Sequence, residues 1–251
     1  MSIQLPVTLE EMYATGFVTD RKNQKRRAID STISKAEALV LMQIIADTKA
    51  IVTLETGVAF GASALAICYA KKDFQGANKM HYGIDPNQRT EYEEAAIVSL
   101  EKEKLQDQFT LLDGPSHLMI PKLIEKGVQL DFAFVDGWHT FDYTLFDFFL
   151  IDKMLKPGGI VAFHDMYALS KQKVLRFILT HRKYKIVKER KVRGNESKMS
   201  TLKFFLWRLK NKPALLFSWF HWSYQLYNSS GLIVLQKVEN FEPDFSFYKS
   251  F

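Results

Sequence analysis

The stretch IVTLETGVAFGASALA, residues 51–66, decides the reading of this chain. Six residues rich in Val, Ile, Thr and Leu run into a glycine, and a second glycine follows four residues later, just before an alanine-rich helical pattern. Strand, tight turn and helix in that order form the first half of a βαβ unit. Glycine is needed where the backbone turns sharply or approaches a ligand closely, and the helix start that follows offers free N–H groups. The spacing is Gly57-x-x-x-Gly61, not the G-x-G-x-x-G of dinucleotide binders. Glu55, two residues before the first glycine, favours a ligand that carries an ammonium group.

Downstream the same rhythm recurs. HYGID (81–85), FTLLD (109–113), FAFVD (132–136) and IVAFHD (160–165) read as short strands separated by stretches of helical length. This alternation predicts a parallel sheet covered by helices on both faces. Residues 36–50 predict a helix with Leu39, Met42, Ile45 and Ala46 on its apolar face, and 92–105 a second. Residues 141–155 predict a third, with Leu145, Phe148, Phe149 and Leu155 inward, ended by Lys156-Pro157-Gly158-Gly159. A helix over 169–182 and strands at 184–189 and 231–238 complete the pattern.

Two hundred and fifty-one residues suit one domain with an insertion. The expected layout is an N-terminal helical cap over 1–32, a core over 33–190 and 231–238, and an insertion over 191–230. Hydrophobic residues at 47% and charged residues at 25% exclude a largely disordered chain. The single cysteine, Cys68, excludes an internal disulfide framework and a cysteine-based zinc site. No apolar run approaches the ~20 residues that span a bilayer, and the start MSIQLPVTLEEM lacks a basic segment followed by an apolar one. The chain therefore reads as cytoplasmic.

The net charge of +6 is uneven. Residues 171–212 carry 15 Lys and Arg against two acids, so the remainder is net negative. Within the insertion, Trp207 sits among these cations, and Phe217, Trp219, Phe220 and Trp222 follow directly after them. The insertion reads as a lid or homodimer contact; the alternatives are peripheral docking on anionic lipid and a hydrophobic face folded onto the body. A nucleic-acid substrate is disfavoured, because neither an Asn-Pro-Pro-aromatic motif nor a recognisable RNA-binding module is present.

Acids close the next strands. Asp85 stands where an acid accepts both hydroxyls of a ribose, or caps a helix start. Asp113-Gly114-Pro115-Ser116 forms a turn with Ser116 as the next helix cap. Asp136, His139 and Asp165 gather at the ends of the fourth and fifth strands, at the edge where open α/β sheets place their ligands. His164 points to the opposite face from Asp165 if its strand is regular and so reads as structural, whereas Trp138 reads as a pocket wall.

The series ETGVAFGAS, YGID, LLDGPS, FAFVDGWH and LKPGGIVAFHD resembles the class I S-adenosylmethionine-dependent methyltransferases. It is most similar to the small-molecule O-methyltransferases related to catechol O-methyltransferase and to macrocin and sugar O-methyltransferases. The resemblance implies a Rossmann-like, doubly wound sheet of seven strands ordered 3-2-1-4-5-7-6, the seventh antiparallel. It implies Glu55 at the methionine ammonium, Gly57 and Gly61 under the cofactor and Ser63 near the methionine carboxylate. Asp85 would bind the ribose, with Gly114 and Ser116 beside the adenine. Asp136 and Asp165 would bind Mg²⁺ or another divalent cation, although Met166 stands where relatives carry a further Asn or Asp. His139, three residues after Asp136, matches the basic catalytic position. The implied reaction is methyl transfer to a hydroxyl of a small molecule, a sugar or a phenol. A lipid-linked acceptor, and a binding protein on the same fold that has lost catalysis, are the alternatives.

Overall fold

A computed structural model describes residues 3–75, 79–187, 192–193 and 230–251. In chain order the elements are α1 (Val7–Thr15), β1 (Phe17–Thr19), β2 (Lys25–Arg27), α2 (Lys35–Thr48), β3 (Val52–Thr56), α3 (Ala62–Ala70), β4 (Met80–Ile84) and α4 (Ala95–Lys102). They continue with β5 (Phe109–Leu112), α5 (Ser116–Glu125), β6 (Leu130–Val135), α6 (Phe141–Met154), β7 (Leu155–Phe163), α7 (Leu169–His181), β8 (Tyr184–Ile186), β9 (Val192–Arg193) and β10 (Ser230–Lys237).

The main sheet runs β5-β4-β3-β6-β7-β10-β8. Counted from β3 as the first strand and leaving β9 aside, this is the expected order 3-2-1-4-5-7-6. β10 is antiparallel to both β7 and β8. Short β9 adds to β10 off this path, so two residues expected in the insertion pair with the sheet. The expected lid, dimer or lipid contact of the insertion lies otherwise outside the described residues. Among the described residues, no helix is long and apolar enough to cross a membrane.

Side-chain alternation along the strands builds two cores. Phe132, Phe134, Ile160, Ala162, Leu232 and Val234 face one cluster with α2, α3 and α4. Ala133, Val135, Val161, Phe163, Ile233 and Leu235 face the other, against α5, α6 and α7. Several local expectations need correction. Of the expected face of α2, Met42 and Ile45 are buried together with Ala38, Leu41 and Ile44, whereas Leu39 and Ala46 are half-buried; helix and sheet both cover it, which widens the stripe. On α6, Phe149 is 40% exposed and Leu155 already belongs to β7. Lys156-Pro157-Gly158-Gly159 therefore lies inside a strand, in the part where its pairing with β6 shifts register. The N-terminal cap is a helix plus a β1–β2 hairpin, with Asp20 accepting the turn amides of Lys22 and Gln24 at 2.9 and 2.8 Å.

Register sets the site. Thr56 pairs with Ile84 and Val135, Ile84 with Leu112, and Val135 with Phe163. The residues just past this row, Gly57, Asp85, Asp113, Asp136 and His164, therefore share one carboxyl edge.

Candidate active site

A cavity of about 1270 Å³ opens along that edge. Gly57, Ser63, Asp85, Ser116, Asp136, His139 and Asp165 all line it, whereas Glu55, Gly61 and Gly114 do not. Trp138, 68% exposed, forms part of its wall, as do Tyr13, Asp30 and Lys35 from the N-terminal cap.

The turn after β3 is built by Asp85. Its Oδ2 accepts the amides of Val58 and Ala59 at 3.0 and 2.8 Å, and its Oδ1 accepts that of Asn87 at 2.8 Å. Asp85 therefore holds loops rather than capping a helix, and Oδ1 retains acceptor capacity beside the cavity. Gly57 has φ 82°, and a Cβ there would lie 2.3 Å from the Asp136 carbonyl oxygen. Gly61 serves packing instead, since a Cβ would meet the Cβ of Ala96 on α4 at 2.7 Å. Ser116 is the first residue of α5, with Pro115 at the cap position and no side-chain cap.

Glu55 is fully buried beneath the turn, its Oε1 3.2 Å from His81 Nε2. With Thr53 it shares the sheet face toward Lys71, whose Nζ donates to Ile51 O, Thr53 Oγ1 and Met80 O. Burial lowers the Lys71 ammonium to about 8. A direct contact between Glu55 and a ligand in the cavity does not follow from this position.

The far end of the cavity holds a charged cluster. His139 Nε2 is 3.6 Å from Asp136 Oδ1, and its Nδ1 is 3.2 Å from Asp165 Oδ2. His164, read from sequence as structural, belongs to this cluster: its Nδ1 lies 3.0 Å from Asp136 Oδ1 and 3.4 Å from Asp165 Oδ1. The correction has a local cause. Asp165 adopts φ 51°, so strand alternation ends at Phe163 and both side chains turn toward Asp136. A left-handed aspartate is a costly conformation of the kind that concentrates at functional sites.

Behind His164, its Nε2 lies 3.4 Å from Glu37 Oε2. Glu37 is fixed by a capping box with Ser34 at the start of α2. Lys171 Nζ, almost fully buried, donates to the His164 carbonyl at 3.0 Å and stands 3.8 Å from Asp136 Oδ1. Burial opposes charge on Asp136, but His164, His139 and Lys171 outweigh it and hold this carboxyl far below the usual range. Burial likewise opposes the His164 imidazolium, yet Asp136, Glu37 and Asp165 raise it to about 10. His164, Glu37 and Lys171 were not found from sequence. The signals available were the Ser34-x-x-Glu37 capping pattern and the place of His164 directly before Asp165.

The donor set suits a divalent cation. Asp136, His139 and Asp165 offer atoms all within 4.8 Å of one another, carboxylate oxygens with imidazole nitrogen. Met166 is buried in the core and turned away from this cluster.

Fold and edge together define a class I methyltransferase architecture, and residues 54–166 match the family described as a methyltransferase domain. Those residues are similar to that family. Among solved structures it is similar to an O-methyltransferase from Bacillus cereus in complex with SAH, with TM-score 0.64, 13% identity, and 94% of this chain and 92% of that chain covered. It is also similar to TomG from Streptomyces achromogenes, an O-methyltransferase involved in tomaymycin synthesis, in complex with SAM, with TM-score 0.63, 14% identity and coverage of 94% and 91%. SAH-bound PaMTH1 from Podospora anserina aligns with TM-score 0.57 and 18% identity over 74% of this chain and 84% of that one. No curated protein sequence matches the chain.

Proposed function

We propose that this protein is an S-adenosylmethionine-dependent O-methyltransferase acting on a hydroxyl of a small molecule, a sugar or a phenol. One observation carries the reading: a single cavity joins Asp85, Gly57 and Ser63 at the glycine turn to Asp136, His139 and Asp165. Structural likeness to methyltransferases that hold SAM or SAH supports the same cofactor here.

In this reading Asp85 Oδ1 takes the ribose hydroxyls, Ser63 lies by the methionine carboxylate and Ser116 flanks the adenine. When bound, the cofactor supplies a methyl group on a positively charged sulfur. The chain supplies placement and a proton acceptor. Tyr13, Asp30, Lys35 and Trp138 close the acceptor side with aromatic and charged groups. His139 Nε2 or Nδ1 takes the hydroxyl proton as the oxygen–carbon bond forms, and the two aspartates stabilise the resulting imidazolium. A divalent cation held by the aspartates would lower the pKa of a coordinated hydroxyl.

The test is calorimetric titration with S-adenosylhomocysteine, with NAD as control, followed by methyl transfer to a panel of sugars and phenols. Micromolar binding of S-adenosylhomocysteine without NAD binding is expected, and His139→Ala should abolish turnover while keeping that affinity. No binding of S-adenosylhomocysteine overturns the cofactor assignment; full turnover in His139→Ala overturns the base.

A further inference from the structure

We infer that His164, not His139, is the imidazole ligand of a divalent cation held with Asp136 and Asp165, and that this mixed set prefers Fe²⁺, Co²⁺ or Zn²⁺ to Mg²⁺. The inference rests on reading the cavity as a methyltransferase site.

Three observations converge. The residue after Asp165 is Met166, packed in the core, so that position supplies no oxygen. His164 Nδ1 lies 3.0 and 3.4 Å from one oxygen of each aspartate. Neighbouring donors around a six-coordinate ion with bonds of about 2.1 Å are spaced about 3.0 Å apart, so His164 Nδ1 stands at donor spacing from both carboxylates. The other ring nitrogen faces Glu37 Oε2 at 3.4 Å. Ligating histidines are characteristically oriented by a carboxylate on the opposite nitrogen. Glu37 is itself locked, accepting from Ser34 N and Ser34 Oγ at 2.8 Å each.

His139 is placed for another task. It is about half exposed, and among the described residues its ion-pair partners are Asp136 and Asp165 alone. Both histidines line the cavity, but His139 is the more exposed, 49% against 14%, and so the more open to an acceptor hydroxyl. The two histidines therefore divide the work: the less exposed His164 holds the ion, and His139 receives the proton. Imidazole in the set shifts preference away from Mg²⁺, which favours all-oxygen coordination.

The test loads the full-length protein with Mn²⁺ alone, without methyl donor or acceptor, and reads nitrogen coupling by pulsed electron paramagnetic resonance. Directly bound imidazole nitrogen should appear in the unsubstituted protein and in His139→Ala, and vanish in His164→Asn. Zn²⁺ and Co²⁺ should displace Mn²⁺ at lower concentration than Mg²⁺ does. Glu37→Gln should weaken Mn²⁺ by about 10- to 100-fold, the cost typical of losing such an orienting partner, and thermal melts confirm that the variants fold. Nitrogen coupling lost in His139→Ala but kept in His164→Asn overturns the assignment, as does absence of Mn²⁺ binding by the unsubstituted protein. S-adenosylhomocysteine binding, measured in parallel without metal, reports on the cavity separately, so either reading can fail alone.

Discussion

The carboxylate of Asp85 accepts the amide of Ala59 at 2.8 Å, tying the end of β4 to the turn that follows β3. Ala59 has φ 46°, a left-handed conformation that a non-glycine residue keeps only when its surroundings impose it. Asp85 is thus a binding candidate and the brace of the turn at once. Asp85→Ala should lower stability by about 1.5–3 kcal/mol, the cost of losing hydrogen bonds to a charged group. It should also weaken S-adenosylhomocysteine at least tenfold. Urea unfolding and calorimetry check the two effects, and unchanged affinity in a folded variant removes Asp85 from the ligand contacts.

The strands are legible because each β run ends in a polar or glycine residue at a fixed place in the rhythm, whereas their order follows only from the resemblance to methyltransferases. Asp85, Asp136 and Asp165 could be placed at one edge for that reason. His164 and Glu37 could not. Regular alternation places His164 on the far face, and only the left-handed backbone at Asp165 ends that alternation one residue earlier. Glu37 read as the polar start of a helix, and its approach to His164 depends on how α2 packs across the sheet. Glu55 lies on the sheet face shared with Thr53, beside the buried His81, and does not line the cavity.

Gly57 and Gly127 separate conformational strain from collision. Both have positive φ, 82° and 69°, but a Cβ on Gly57 would strike the Asp136 carbonyl, whereas one on Gly127 would meet nothing within 4 Å. Gly127→Ala should cost about 1–2 kcal/mol, the left-handed penalty alone. Gly57→Ala should cost clearly more and displace Asp136, so activity should fall in that variant only. Equal losses in thermal unfolding for the two variants would show that the contact with Asp136 relaxes freely.

Asp152 joins the end of α6 to the last strands. Its Oδ1 accepts Tyr184 Oη at 2.6 Å and lies 3.1 Å from Lys237 Nζ, while Oδ2 is 3.4 Å from Arg182 Nε. All four side chains are buried or nearly so. Asp152→Ala leaves two buried cations without their carboxylate and should cost about 3–5 kcal/mol. Tyr184→Phe keeps the ring contact with Phe148 and removes one hydrogen bond, so about 1–2 kcal/mol is expected. Denaturant midpoints measure both, and an Asp152→Ala loss no larger than that of Tyr184→Phe would show that the cations find water.

Asp131 couples three strands and gives a pH dependence of known sign. At the start of β6 its Oδ2 accepts the amides of Ile51 and Val52 at 3.0 and 2.9 Å, and its Oδ1 accepts Lys156 Nζ at 2.6 Å. Burial pushes its carboxyl upward, but Lys156 and the two amides outweigh it, leaving the folded value below the ordinary one. The folded state therefore binds this proton less readily than the unfolded chain. The stabilisation is complete above the ordinary carboxylate range near pH ~4 and is lost as pH falls further. Asp131→Asn should cost about 1.5 kcal/mol at pH 7, because the charge-assisted part of the amide bonds goes while exposed Lys156 contributes little. The gap between the two proteins in urea unfolding should then close as pH drops from 5 toward the acid limit. A gap that stays constant over that interval would mean that the carboxylate charge contributes nothing and that the amides are satisfied equally by the neutral side chain.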